Sequence, residues 1–587
     1  MGFAESTKAY KKVTVIRGDR RITLLSIFVI IFAIAIIVRL FFLQVVNHAF
    51  YQELALGIRS SAHKLEAVRG EVYAQNIHDE DKKFPLIVNE DTYLLFADGR
   101  SIKGDVATLA QTISEQLHVT NEEKEKISKS IADMGDDPYV PLLPSLSEEQ
   151  AQIIRDLKNP GLGLVRNTRR FYPEGEKTAH ITGFMGSGEK DTRVGKYGFE
   201  GYNDKLLAGV QGNVKGERDA FGGWIPTSSR QMQAAQDGPD VTLTIDHNIQ
   251  RVACDALSVG MKEYAAKSGT VIVMDPKTGA IWALCDEPTF DPNNLKSVTD
   301  ISLFNNNAIF TPYEPGSVFK PFTISAGIDT GKLLPTTTFT DAGHEVIDKF
   351  TIRNALDKSY GLVTMRDVLI DSINTGTIFA VRKIGKEVFY DYVKKFGFGT
   401  LSGVQLDVEV PGVVDTITKK GEIYMATASF GQGITTTPLQ LIAGYSAIAN
   451  HGKLMQPYII RELDYHNGRI EKTSPKEISQ VLSVRTASTM SSMLTDVVDV
   501  GHAKHAQVKG YKIAGKTGTA QIADPNGGYS EDYNHTFIGY GPSDDAQFVV
   551  LVKYEKPNQS FADATTVYTF QKVAEFLTNY LRIPPSR

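Results

Sequence analysis

Ser317 and Lys320 stand three residues apart in Glu314-Pro315-Gly316-Ser317-Val318-Phe319-Lys320. Pro315-Gly316 breaks the chain and the residues after it pattern as a helix, which puts the serine at a helix N-terminus and both side chains on one face. A serine hydroxyl is a weak nucleophile near neutral pH, and a lysine can act as its base once burial and nearby cations lower the amine's pKa. The helix N-terminus favours the negative charge that develops there. Ser372-Ile373-Asn374 follows between helix-like segments at 364–371 and 375–384, where a hydroxyl and an amide two positions apart can border a nucleophile. Lys516-Thr517-Gly518-Thr519 falls in a strand pattern that begins at Tyr511. Gly518 inside a strand marks a close approach by another backbone or a ligand, and Lys516 with the hydroxyls of Thr517 and Thr519 offers a site for a carboxylate. Singly, each stretch has a commonplace explanation: a capping serine with a solvated lysine, a turn, a surface strand rich in β-favouring threonine. The weight lies in their order, each on the element its chemistry wants.

Bringing the stretches together takes a sheet edge and two helix starts, and the second half of the chain supplies both. A strand pattern at 240–246 and an amphipathic helix at 248–263 open it. Runs at 269–275 and 280–285 flank Pro276-Lys277-Thr278-Gly279 as a hairpin. Three further strands come only near the end, at 511–520, 536–540 and 547–554, with turn residues between them, and 563–581 makes a last helix. The interval between the two groups reads as helical. The expected fold class is α+β: five mainly antiparallel strands with helices on both faces. Upstream, 63–234 mixes short strands, polar turns and an acidic helix after Thr120, with no catalytic constellation. The expected domains are therefore a non-catalytic pedestal at 44–235 and a catalytic domain at 236–587.

A chain of 587 residues has room for more than one core. Its 42% hydrophobic and 22% charged residues are those of a folded chain, and a net charge of -5 makes no case for nucleic acid. Residues 22–43 carry no charged residue but Arg39, which can snorkel, in a largely apolar run; 22 helical residues reach about 33 Å, enough to cross a bilayer. A cleaved signal peptide would have a shorter apolar run followed by small residues, whereas Leu43-Gln44-Val45 follows here. Six lysines and arginines precede the span, so residues 1–21 are expected in the cytoplasm and the rest outside. Two cysteines, Cys254 and Cys285, argue against a disulfide framework and a thiolate zinc site, and are expected as small buried apolar side chains. The one close histidine pair, His502 and His505, suits an exposed helical position better than a metal. Neither a metal nor a cofactor is expected.

The ordered set Ser-x-x-Lys, Ser-x-Asn and Lys-Thr-Gly resembles the signature of penicillin-binding proteins and serine β-lactamases. Over nearly its whole length the chain is similar to the class B penicillin-binding proteins. Arg69-Gly70-Glu71-Val72, Arg169-Arg170-Phe171-Tyr172-Pro173, and Tyr197-Gly198-Phe199-Glu200-Gly201 with Gly209 and Gly212 match the pedestal. Asp275-Pro276-Lys277-Thr278-Gly279 and Gly431-Gln432-Gly433 with Thr437-Pro438-Leu439-Gln440 complete the pattern. Asn307 stands where an arginine is common, and Ile373 where a second serine is frequent.

The resemblance implies a D,D-transpeptidase that cross-links peptidoglycan stem peptides and is acylated by β-lactams. Ser317 would attack the carbonyl between the last two D-alanines with Lys320 as base. Ser372 would relay a proton, and Asn374 would position Lys320 and the substrate backbone. Lys516, Thr517, Gly518 and Thr519 would bind the terminal carboxylate, with backbone N–H groups of Ser317 and Thr519 as the oxyanion hole. A β-lactamase or D,D-carboxypeptidase is the rival on the same fold, and a non-catalytic division scaffold the rival of another class. The short C-terminus leans toward a septal rather than an elongation enzyme. A polytopic glycosyltransferase and other divisome or elongation proteins are the implied partners, and the membrane is reached through one helix.

Overall fold

The structure, a computed structural model, describes residues 20–51, 60–103, 105–189, 192–217, 231–524 and 527–587. The chain folds as two units, one from the residues up to 67 with 210–236, the other from 68–209 with 237–587. In the first, α1 (Arg20–Phe41) runs on into a π-helical turn, Phe42–Val46. No residue of α1 is buried, and Leu24, Phe28, Ile31 and Ile37 are exposed all round it, a surface that suits hydrocarbon rather than a protein core. Arg20–Val46 is long and apolar enough to cross a membrane, three residues beyond the span expected at its far end. The described remainder of this unit is an antiparallel ribbon in which Gly212–Glu217 pairs with Ser60–Leu65 and with Gln231–Gln233.

In the second unit one sheet joins segments distant in sequence. Asp240–Asp246 lies parallel to Val72–Gln75 and antiparallel to Ile460–Asp464, and Val72–Gln75 continues the sheet to Phe84–Ala97. Phe84–Ala97 is long enough to pair also with Val140–Leu146 and Leu162–Phe171. The acidic helix expected after Thr120 is Asn121–Asp133, closed by a capping box between Thr120 and Glu123; Ile127 and Ile131 face a small separate core with Leu95 and Ile113.

The pedestal motifs meet at one charge. Glu200 is fully buried, and Arg69 and Arg170 both bind it, Arg170 Nε to Oε1 at 2.9 Å. Arg170 also donates to the Gly70 carbonyl at 2.8 Å, and Arg69 pairs with Asp204 at 2.9 Å. Removing one partner of such a set leaves an unpaired charge inside the protein, a loss of about 3–5 kcal/mol.

The catalytic sheet has five strands: β1 (Ser268–Met274), β2 (Ile281–Glu287), β3 (Ala514–Ala523), β4 (Tyr529–Gly541) and β5 (Phe548–Glu555). Their order is β2-β1-β5-β4-β3 and every pair is antiparallel. The first hairpin and the last three strands thus make one sheet across the long insertion, as the sequence leads one to expect. α2 (His247–Glu263) and a C-terminal helix, Thr566–Tyr580, pack together and on the sheet, while Pro438–Ala449, buried at all twelve residues, packs on β1 and β5. The insertion is less purely helical than its pattern suggests: Thr338–Asp341 pairs with Gly361–Thr364, and His344–Ile347 with Phe350–Arg353.

Cys254 and Cys285 are joined in a disulfide, their Cα atoms 5.4 Å apart, which corrects the expectation of two separate thiols. The physical reason is docking of α2 on β2. Gln250, one turn before Cys254, donates to the Leu284 carbonyl and accepts from the Leu284 N–H, both at 2.8 Å, which lays this helix face along the strand that carries Cys285.

Candidate active site

Ser317 lies in the 3-10 turn Gly316–Phe319, from which α3 (Lys320–Asp329) continues. Gly316 has φ +60°, a left-handed conformation glycine adopts without strain, and it directs Val318 and Phe319 into the core while Ser317 stays half-buried. The turn is held from several sides. Gly316 N–H donates to the Gly431 carbonyl at 3.0 Å, and the Tyr445 hydroxyl donates to the Val318 carbonyl at 2.8 Å. The Glu314 carboxylate accepts from Gly433 N–H at 3.0 Å and from the Tyr529 hydroxyl at 2.9 Å.

Strand β3 passes directly over this turn. A Cβ at Gly518 would stand 3.0 Å from the Pro315 carbonyl oxygen, so the glycine within Lys-Thr-Gly marks a close backbone approach, and the approaching backbone is the nucleophile's own turn. β3 lies at the sheet edge, with Lys516 opposite Ile538 and Gly518 opposite Thr536 on β4.

Lys320 and Lys516 are both fully buried. Each donates to the Ser372 hydroxyl, Lys320 Nζ at 3.2 Å and Lys516 Nζ at 3.1 Å; Lys320 also binds the Ser372 carbonyl, and Lys516 the Thr517 carbonyl at 3.1 Å. Among the described residues neither amine has a carboxylate within ion-pair distance. Burial pushes both amines down: Lys320 falls well below the ordinary lysine range, helped by the neighbouring Lys516 charge, and Lys516 falls to about 7. The arrangement is a hydrogen-bonded chain from amine to hydroxyl to amine along which a proton can pass, and the Ser317 side chain is engaged by no described residue.

The remaining predicted residues are placed as follows. Thr517 is buried, and Thr519 Oγ1 accepts from Ala562 N–H at 3.1 Å, which leaves its own hydroxyl proton to donate. Asn374 is not brought to Lys320: its Nδ2 donates to the Arg353 carbonyl at 2.9 Å, while Oδ1 accepts from no described residue. The contact expected with Lys320 is thus not made, because the helix Asn374–Ile384 begins at this residue and its side chain turns toward the end of the strand Phe350–Arg353. Ile373, the departure noted in sequence, is fully buried. His505 stacks on Tyr568 and His502 is exposed.

Two residues escaped the sequence reading. Tyr313, whose hydroxyl meets Thr536 Oγ1 at 2.9 Å, anchors the segment leading to Ser317 onto the sheet. Glu314 was quoted only as part of a motif; its partner Tyr529 lies more than two hundred residues away, and no local pattern links them.

Comparison with known proteins bears on this site. Residues 269–575 match the penicillin binding protein transpeptidase domain, and residues 64–243 the penicillin-binding protein dimerisation domain. The chain is 32% identical over 555 residues to Stage V sporulation protein D of Bacillus subtilis, covering 93% of this chain and 83% of the relative. It is 30% identical over 429 residues to the peptidoglycan D,D-transpeptidase FtsI of Escherichia coli K12, covering 71% and 68%. Penicillin binding protein 2X from Streptococcus thermophilus shares the fold, with a TM-score of 0.74 at 20% identity over 88% of this chain and 80% of that one. Penicillin binding protein 3 of Mycobacterium tuberculosis, solved with ampicillin, aligns with a TM-score of 0.67 at 25% identity over 89% and 97%. The chain belongs to the class B penicillin-binding proteins, serine-type D-Ala-D-Ala transpeptidases built from a dimerisation domain and a transpeptidase domain.

Proposed function

We propose that this protein cross-links peptidoglycan stem peptides through an acyl-enzyme on Ser317. The observation that carries the reading is the pair of buried lysines that share the Ser372 hydroxyl and have no carboxylate within ion-pair distance among the described residues. An amine kept neutral by burial takes the Ser317 proton as the oxygen attacks the carbonyl between the last two D-alanines. The proton moves along Ser372 to the departing D-alanine amine, and a second stem peptide's amine then resolves the ester. Lys516, Thr517 and Thr519 hold the terminal carboxylate, with Gly518 keeping β3 close. Asn374 Oδ1 accepts from the substrate backbone. Backbone N–H groups of Ser317 and Thr519 receive the oxyanion, where loss of one donor lowers rate by about 10²–10³. β-Lactams acylate the same serine.

The apolar helix anchors the protein in the cell membrane, with the lysine- and arginine-rich tail in the cytoplasm and the catalytic domain outside. A septal role, beside a polytopic glycosyltransferase, is favoured over elongation by the likeness to FtsI enzymes; depletion should give filaments, and rounding of cells would reverse that assignment. The domain boundary is drawn at 235/236, before the strand Asp240–Asp246. The catalytic reading is tested by intact-mass spectrometry of the protein with a fluorescent penicillin: a lasting adduct on Ser317, absent from Ser317→Ala, is expected. No adduct would point to a scaffold, and one lost within seconds to hydrolysis.

A further inference from the structure

Ser372 holds its hydroxyl between two lysines from a backbone at φ +58°, a left-handed conformation that a residue with a Cβ rarely adopts. Local sequence does not enforce it, so neighbouring structure must. The residues in position to do so come from the small hairpins of the insertion. Asn354 Oδ1 accepts from the N–H groups of Asn374 at 3.0 Å and Thr375 at 3.2 Å, capping the helix that starts immediately after the turn. Asn354 Nδ2 in turn donates to both oxygens of Asp341, at 3.1 and 2.9 Å. Asp341 also accepts from the Thr375 hydroxyl at 2.6 Å, Gly343 N–H at 3.0 Å and Tyr360 N–H at 2.8 Å. Asp341, Asn354 and Thr375 are all buried. Burial alone would raise the Asp341 pKa, yet these donors bring it below the usual carboxylate value, so the charge is kept and every bond to it is charge-assisted.

We propose that Asp341 and Asn354 are positioning residues: a clamp, carried on the insertion, that fixes the Ser372-Ile373-Asn374 turn in its left-handed form and so sets Ser372 between Lys320 and Lys516. Among the described residues the clamp makes no hydrogen bond to Lys320 or Lys516, and it acts through the start of one helix. It rests on the reading of Ser372 as part of the acyl-transfer path.

The test uses the full-length protein in detergent with a fluorescent penicillin, alongside amide hydrogen exchange of the segment 370–378. Asp341→Asn and Asn354→Leu should each lower the acylation rate constant at saturating penicillin by about tenfold or more, the loss of a charge-assisted bond, while the half-saturating concentration moves less than about threefold. Exchange in 370–378 should quicken, with the strands of the catalytic sheet unchanged. Thr375→Val should give the same effect in smaller measure, and Thr375→Ser, which keeps the hydroxyl, should restore it. If Asp341→Asn does not fold, the Thr375 pair decides. An Asn354→Leu protein that folds and is acylated within about twofold of the parent, or whose 370–378 segment exchanges as before, overturns the clamp. A parent protein unlabelled at Ser317 overturns the catalytic reading instead, and exchange then judges the clamp alone.

Discussion

Two buried charge clusters in this protein are built on opposite rules. Around Glu200, opposite charges are matched: one carboxylate, two guanidinium groups, and remaining N–H groups spent on Asp204, Asn89 and the Gly70 carbonyl. Around Ser372, two amines are gathered against one hydroxyl, with no carboxylate within ion-pair distance among the described residues. The first arrangement ties three distant pedestal segments together and offers nothing to a substrate. The second holds amines that water would protonate in a place that disfavours the proton. Compensation makes structure, and compensation withheld makes a base.

The comparison breaks most sharply if each cluster is disarmed in turn. Lys320→Met should lower acylation of Ser317 by about 10²–10⁴, with thermal unfolding no earlier than in the parent, because a buried amine is replaced by a fitting apolar chain. Glu200→Gln should do the reverse: a stability loss of about 3–5 kcal/mol by chemical denaturation, with acylation of the folded fraction unchanged.

A third cut separates covalent from electrostatic support. Cys254→Ser with Cys285→Ser removes a link across 31 residues, with an expected loss of about 4 kcal/mol and an unaltered penicillin adduct. The fourth cut is in pH. Below the depressed pKa values the amines regain their protons, so acylation should fall on the acid side by up to about tenfold per pH unit. For stability the sign follows from Lys516: between about 7, where it titrates folded, and the ordinary lysine range, the unfolded chain binds more protons than the native one. Stability should therefore rise with pH through that window, and Lys516→Met should flatten the rise in urea titrations followed from pH 7 to 10. An equal rise in parent and variant would mean that Lys516 does not titrate at a depressed pKa in the folded protein.

Much of this was legible in the chain. The motifs that carry Ser317, Lys320, Ser372 and Lys516 could be read because each is short and lies on one element, and the five strands because alternation and turn residues are local signals. Gly518 was read correctly as a close approach, though not what approached. What stayed hidden is what only folding brings together. The disulfide depends on the angle at which α2 crosses β2, Glu314 on a hairpin far downstream, and the Asp341–Asn354 pair on two hairpins too short to stand out in a helical stretch. Asn374 was placed in the right turn with the wrong partner, since a side chain at the first residue of a helix can swing either way and its neighbour Arg353 supplied the acceptor.

The strand order carries a consequence for how the protein is made. β1 is finished at Met274, but its second neighbour, β5, does not begin until Phe548. At roughly 5–20 residues per second, a ribosome needs about 15 to 50 seconds to cross that gap. Throughout that delay one side of β1, whose residues from Gly269 to Met274 are all buried in the finished sheet, has no strand to pair with. A nascent chain with such a bare edge is open to pairing with other chains. For this protein the hazard of assembly is a matter of timing, settled by where along the gene the last strand is written.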